Sequence, residues 1–258
     1  MKIIVLMKQV PDTYGERKLT PGGLVDRDAS DAVIDEISER ALELALQQKD
    51  SDKSTEVVVL SMGPAGVKDS LRKALSMGAD SAVHVNDDSL VGSDMARTAS
   101  VLAAAIRSIG GAELIVAGNE TTDGRGGIVP AMIAEHLGIR HLGALDSIEI
   151  SDAVSGEQAT ESGTITVHAA LPAIVSVTES ADEARFPNFK GIMTAKKKPL
   201  AVMSLADLGL DDGALSAQRR SVVVTVTERP ARAAGRKVVD EGNAAEELAE
   251  FLAAERLI

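Results

Sequence analysis

The chain has 258 residues, 45% of them hydrophobic but only 2% aromatic, so the core of one large domain must be built from Ala, Val, Leu and Ile rather than from rings. A formal net charge of −12 disfavours nonspecific nucleic-acid binding, which needs a basic surface. The absence of cysteine excludes disulfides, thiolate metal sites and a thiol nucleophile.

Residues 2–7 read as a short buried strand that opens the protein. Their apolar run is too short for the central region of a signal peptide, and no run approaches the ~20 apolar residues needed to cross a bilayer. No membrane insertion and a cytoplasmic location are therefore expected. A polar stretch holding Pro11, Gly15, Pro21, Gly22 and Gly23 reads as loop. Apolar residues then recur at helical spacing from Val33 through Ile37, Ala41 and Leu44. Residues 56–60 read as a second strand, followed by the turn Ser61-Met62-Gly63-Pro64, with Pro64 at a helix start and Gly78 at its end. Residues 82–85 give a third strand, and Ser93 is placed to cap the next helix, which Gly110-Gly111 stops. Residues 114–117 give a fourth strand, then a glycine-rich turn and a helix over about 127–137. This β-α-β-α order predicts an α/β fold with a mostly parallel, doubly wound sheet covered by helices on both faces.

Beyond about residue 143 the rhythm changes. Residues 145–150, 164–168 and 173–178 read as strands with no helix between them, extending the sheet or forming an edge hairpin. Residues 180–200 read as irregular and basic. One strand over 221–227 and a final amphipathic helix over about 244–257 complete the chain. The expected division is a nucleotide-binding domain over 1–200 and a C-terminal arm over 201–258. The arm either lies on a partner or packs back on its own domain.

The most informative segment for chemistry is the loop holding Gly118, Asn119, Asp123, Gly124, Arg125, Gly126 and Gly127, which leads through Ile128 and Val129 into a helix. It follows a buried strand, and open α/β sheets bind ligands at the carboxyl ends of their strands. Glycines let backbone N–H groups approach a phosphate, the helix start adds a positive dipole end, and Arg125 can add a charge-assisted contact. The spacing is neither that of a dinucleotide-binding GxGxxG nor of a P-loop, so an ordinary strand-to-helix turn remains the alternative. Among the four histidines, His136 and His141 are five apart and do not share a helix face as a zinc pair would, so no metal site is expected. No Gly-x-Ser-x-Gly elbow is present. Lys196-Lys197-Lys198 is a local basic run in an acidic chain. Nearby, Arg185-Phe186-Pro187-Asn188-Phe189 holds two of the three phenylalanines, which either anchor a partner or fold back on the sheet.

Several segments, in order and spacing, resemble the electron-transfer flavoprotein β-subunit family over nearly the whole chain. They are residues 4–13 (IVLMKQVPDT), Ser61-Met62-Gly63-Pro64-Ala65, residues 71–80, residues 117–131, Leu171-Pro172-Ala173 and the Ile192-Met193-Thr194-Ala195-Lys196-Lys197-Lys198 run. The resemblance implies a Rossmann-like sheet of the adenine-nucleotide α-hydrolase type. It implies a heterodimer with an α subunit that holds most of the FAD, with the arm packing on that subunit and a structural AMP bound in this chain. By position, AMP contacts fall on Leu6, Met62 and the 118–129 loop. A recognition loop over 185–198 for flavin-dependent dehydrogenases uses Arg185, Phe186, Phe189, Ile192, Met193 and Lys196, with Phe189 where many relatives have leucine. An electron carrier rather than a catalyst is implied, passing electrons toward a quinone reductase or similar acceptor. The alternatives are a bifurcating member with a second FAD and a stand-alone nucleotide sensor or hydrolase. Three departures stand out: Asp35-Glu36-Ile37 replaces the relatives' Asn-Pro-Phe; the phosphate loop reads Thr-Asp-Gly-Arg-Gly-Gly where many relatives are rich in Asp, Asn and Gln, so backbone and Arg125 must do more; and the family's flavin-restraining acid has no clear match, Glu157 and Glu161 being only neighbours.

Overall fold

A computed structural model describes residues 1–15, 18–217, 221–227, 230, 234–235 and 237–258. In chain order its elements are β1 (Lys2–Leu6), β2 (Gln9–Pro11), β3 (Ala32–Ile34), α1 (Glu36–Ser51), β4 (Glu56–Met62), α2 (Val67–Met77), β5 (Ser81–Val85), α3 (Met95–Ser108), β6 (Leu114–Gly118) and α4 (Val129–Leu137). There follow β7 (Arg140–Leu145), β8 (Ser147–Ile150), β9 (Ala153–Thr160), β10 (Gly163–Ala170), β11 (Ala173–Val177), α5 (Phe189–Ala195), β12 (Leu200–Met203), α6 (Asp212–Ala217) and α7 (Ala244–Ala254).

Seven strands form one sheet in the order β12-β5-β4-β1-β6-β11-β7, and every ladder in it is parallel. Parallel strands are apolar on both faces because helices cover both. In β1, Ile3 and Val5 enter one core while Ile4 and Leu6 enter the other. β4 splits in the same way, with Val57 and Val59 opposite Val58 and Leu60, and so does β6, with Leu114 and Val116 opposite Ile115 and Ala117. Helices α1 and α2 fill the first core, and α3 and α4 the second. This is the doubly wound α/β sheet that the strand-helix rhythm predicts.

Local chemistry moved several boundaries. Val33 and Ile34 lie in β3, paired with β2, because the Asp35 side chain accepts from the Ile37 amide and starts α1 there. Asp94 caps α3 through the Arg97 amide at 2.9 Å, while the Ser93 hydroxyl, the expected cap, donates to the Leu90 carbonyl. Residues 145–170 hold three antiparallel strands, β10-β9-β8, where the sequence suggested two, and β11 joins the parallel sheet between β6 and β7. The stretch expected to be irregular, 180–200, contains α5, and β12 begins at its end and becomes an edge strand beside β5. Residues 221–227 form no strand despite their valines: a β-prone run needs a ladder, and it has none among the described residues.

The chain divides into two compact units, residues 1–223 and 224–258. Leu205 and Leu215 are buried in the second core of the first unit, and Arg97 of α3 bonds Asp212 of α6. In the second unit α7 buries no residue and leaves Leu248 and Phe251 exposed.

His84, fully buried on β5, has its Nε2 2.9 Å from the Gly63 carbonyl, and burial lowers its pKa below the ordinary 6.5, as it does for His141. The unfolded chain takes up these protons and the native one resists them. Stability is therefore full above pH 6.5 and is lost as pH falls below it. The loss is at most about 1.4 kcal/mol per pH unit for each proton. Urea titrations at several pH values between 5 and 8 should show a falling midpoint below 6.5, and His84→Gln should flatten part of that slope.

Candidate functional site

The chain runs from β1 outward through β4 and β5, then crosses to β6 on the other side of β1. The crevice between the carboxyl ends of β1 and β6 is thus the topological switch point, where connections diverge and leave room for a ligand. Leu6 ends β1, Met62 ends β4 and Gly118 ends β6, so the first two expected contacts and the 118–129 loop converge on this edge. Leu6 is buried and Met62 half-buried against the same core.

The loop is built by a hydrogen-bonded lattice. The Asn119 amide donates to the Val177 carbonyl at 2.8 Å, continuing the β6–β11 ladder. Asp35 is fully buried; its Oδ2 accepts from the Thr122 amide at 2.7 Å and from Thr122 Oγ1 at 2.8 Å, while its Oδ1 caps α1. Asp123 accepts from Lys8 Nζ at 2.8 Å, Thr121 Oγ1 at 2.7 Å and the Gly124 amide at 2.6 Å. Burial pushes the Asp123 carboxyl up, but the Lys8 charge and these bonds outweigh it and hold the group below the ordinary carboxylate range. Sequence reading missed Lys8 and Asp35, and held Thr121 and Thr122 only as members of the 118–129 loop. Asp35 carried a legible signal, an aspartate just ahead of a helical apolar stripe.

Beyond Asp123 the loop opens to solvent. Gly124, Arg125, Gly126, Gly127 and Ile128 are exposed. Arg125 and Gly127 have left-handed φ of 47° and 65°, a conformation glycine adopts freely, and nothing lies where a Gly127 Cβ would go. Arg125 Nε sits 3.5 Å from Glu120, a loose pair that leaves the guanidinium available to an anion. The loop feeds into α4, whose first turn carries the Val129 and Ala131 amides on either side of Pro130. Asn119 Oδ1 is buried without a hydrogen-bond partner, an orphan acceptor that a ligand donor would satisfy. Met95 abuts Gly126, and Met95 and Ile128 form an exposed apolar rim. An open backbone, a helix start, an available guanidinium, an orphan amide oxygen and an apolar edge fit a phosphate with an attached flat base. Two cavities elsewhere, of about 190 and 270 Å3, are too small for a nucleotide.

The second expected group lies on the face formed by α1 and α2. Phe186 and Phe189 are 94% and 80% exposed; Phe189 opens α5, and Ile192 and Met193 are exposed on that helix. Lys196 is exposed at the end of α5. Arg185 instead points inward onto Glu43 and Asp50. The two groups of expected residues therefore occupy different parts of the first unit. Among the described residues no group of three or more His, Asp or Glu is placed to hold a metal, and no helix is long and apolar enough to cross a membrane.

The family described as Electron transfer flavoprotein domain matches residues 22–208. An electron transfer flavoprotein subunit beta from Mycobacterium leprae is 48% identical over 99% of both chains. The subunit beta from Megasphaera elsdenii is 33% identical over the full length of both. A subunit named CarD of a caffeyl-CoA reductase-Etf complex from Acetobacterium woodii is 33% identical over 81% of this chain and 80% of its own.

Proposed function

This chain belongs to the electron transfer flavoprotein family, among its β subunits, and from that premise we propose that it forms a heterodimer with an α subunit and works there as a carrier of electrons rather than as a catalyst. FAD, held mainly by the α subunit, supplies the redox chemistry when bound. This chain's part is to bind, orient and dock. It holds one AMP as a structural ligand in the crevice over Leu6, Met62 and the 118–129 loop. The phosphate is taken by the Gly124, Gly126 and Gly127 backbone, the start of α4 and Arg125, and the base lies along the Met95–Ile128 rim. The observation that carries this reading is the switch-point position of a loop that is rigid where Asp35 and Lys8 hold it and open where a phosphate would sit.

Electrons arrive from flavin-dependent dehydrogenases, which dock on α5, and leave for a quinone reductase or similar acceptor. The apolar stripe of α7, in the arm, packs on the α subunit, and the complex resides in the cytoplasm. The decisive experiment is co-expression with the α subunit, denaturation and quantification of released nucleotides. One FAD and one AMP per heterodimer are expected. Two FAD would replace this reading by a bifurcating one. Absence of flavin together with ATP turnover would replace it by a nucleotide hydrolase.

Phe189→Ala tests the docking half. An exposed aromatic that anchors a partner contributes about 2 kcal/mol, so the bimolecular rate of reduction by a flavin-dependent dehydrogenase should fall roughly 30-fold. FAD and AMP contents should stay at wild-type levels. An unchanged rate would remove α5 from the docking surface.

A further inference from the structure

We propose that Arg185 is a positioning residue: it does not touch the docking partner but, together with Gly191 and Arg72, fixes the helix that does. The inference rests on the reading of α5 as the docking element and adds how that element is held.

A seven-residue helix such as α5 is too short to persist by its own hydrogen bonds. Its exposed face offers three apolar side chains, Phe189, Ile192 and Met193, at i, i+3 and i+4. Something else must order it, and the structure holds it at three points. At its entrance, Arg185 forks onto Glu43 of α1, with Nε to Oε2 and Nη2 to Oε1 both at 2.8 Å, while its backbone amide adds 3.0 Å to Oε2. Its remaining nitrogen, Nη1, reaches Asp50 at 2.7 Å. Glu43 is buried, so this is a charge pair with its fork geometry satisfied. A guanidinium so committed has little left to offer a partner.

In the middle, Gly191 lies against the α2 backbone so closely that a Cβ would overlap the Ser76 carbonyl oxygen. No side chain fits there without moving α5. Asn188 caps the helix through the Gly191 amide at 2.7 Å. At the exit, Arg72 of α2 donates to the Ala195 and Lys198 carbonyls at 2.8 and 2.9 Å. Lys198 reaches back to the Leu75 and Ala79 carbonyls at the end of α2. The apolar face is therefore presented ready-made, and the ordering cost of docking falls on folding rather than on the encounter.

Hydrogen–deuterium exchange on the intact heterodimer tests this. Arg185→Gln alone leaves Glu43 buried without its partner and can unfold the chain. The variants used are therefore the Glu43→Gln/Arg185→Gln double, which removes both charges, and Gly191→Ala, which changes none. Both should speed exchange of the α5 amides about tenfold or more, with β1, β4 and β6 unchanged. Arg185→Lys, which keeps the charge but not the fork, should fall between wild type and the double. Unchanged exchange at α5, or acceleration spreading through α1 and β4, would overturn the proposal. The same variants, at full FAD content, should slow reduction by a purified flavin-dependent dehydrogenase, and should add little to Phe189→Ala. If Phe189→Ala slows reduction but they do not, the positioning role is wrong. If Phe189→Ala has no effect either, the docking reading itself has failed.

Discussion

Asp35→Ala is expected to lose roughly 3 kcal/mol of stability and most of the nucleotide with it. One buried carboxylate performs two tasks. Its Oδ1 caps α1 at the Ile37 amide, 3.1 Å away, and losing an aspartate cap costs about 1 kcal/mol. Its Oδ2 accepts two bonds from Thr122. Removing a charged acceptor from a buried donor costs about 1.5–3 kcal/mol, and here an amide and a hydroxyl lose theirs together. The urea midpoint should therefore drop with an unchanged slope, and AMP should no longer survive purification. Asn at this position caps a helix equally well but turns an amide N–H₂ or a single carbonyl oxygen toward Thr122, so Asp35→Asn should lie between wild type and alanine. A midpoint for Asp35→Ala within about 0.5 kcal/mol of wild type, the range of ordinary surface changes, would mean that α1 and the loop are not coupled through this residue.

The parts of the fold that the sequence made legible are those where one local rule decides. Ile3 through Leu6, Val57 through Leu60 and Leu114 through Ala117 are short, wholly apolar runs, and only a strand buried on both faces takes such a run at that length. The glycine-rich stretch after β6 announced the crevice because few other placements need so many small residues beside a helix start. What escaped notice depends on distant partners. β9 reads A-V-S-G-E-Q-A-T, with no long apolar run, and exists because β8 and β10 pair with it on both sides. α5 was hidden because seven residues show no helical period of their own and its anchors, Glu43 holding Arg185 and Arg72 on α2, lie far off in sequence. The valines of 221–227 misled in the opposite direction, having β propensity but no ladder. At the crevice the glycines and Arg125 were visible, whereas Lys8 reaches Asp123 across 115 positions and Asp35 reaches Thr122 across 87.

Asp123 tests whether the crevice is the nucleotide site at all. Its carboxylate gathers Lys8, Thr121 and the Gly124 amide at the point where the rigid half of the loop gives way to the open half. The side chain is only 5% exposed, against 39% for Lys8, so its bonds are shielded from water more than a surface pair's would be. Asp123→Ala should leave the sheet intact, because residues 118–128 can open locally without unfolding β1 or β6. The urea midpoint should thus move less than for Asp35→Ala. AMP affinity should fall roughly 10- to 100-fold, the equivalent of one or two lost hydrogen bonds in the ordered loop. The pH dependence has a definite sign. Because the folded carboxyl lies below its ordinary 3.8, the lock is complete above that pH and is released as pH falls through the lower folded value. AMP retention should accordingly be flat from pH 5 to 8 as far as this group is concerned, and Lys8→Met should mimic the alanine variant without adding to it. Equilibrium dialysis of AMP against the heterodimer decides the matter. If Asp123→Ala and Lys8→Met both bind AMP as wild type does, the nucleotide lies elsewhere and the 118–129 loop is an ordinary strand-to-helix turn.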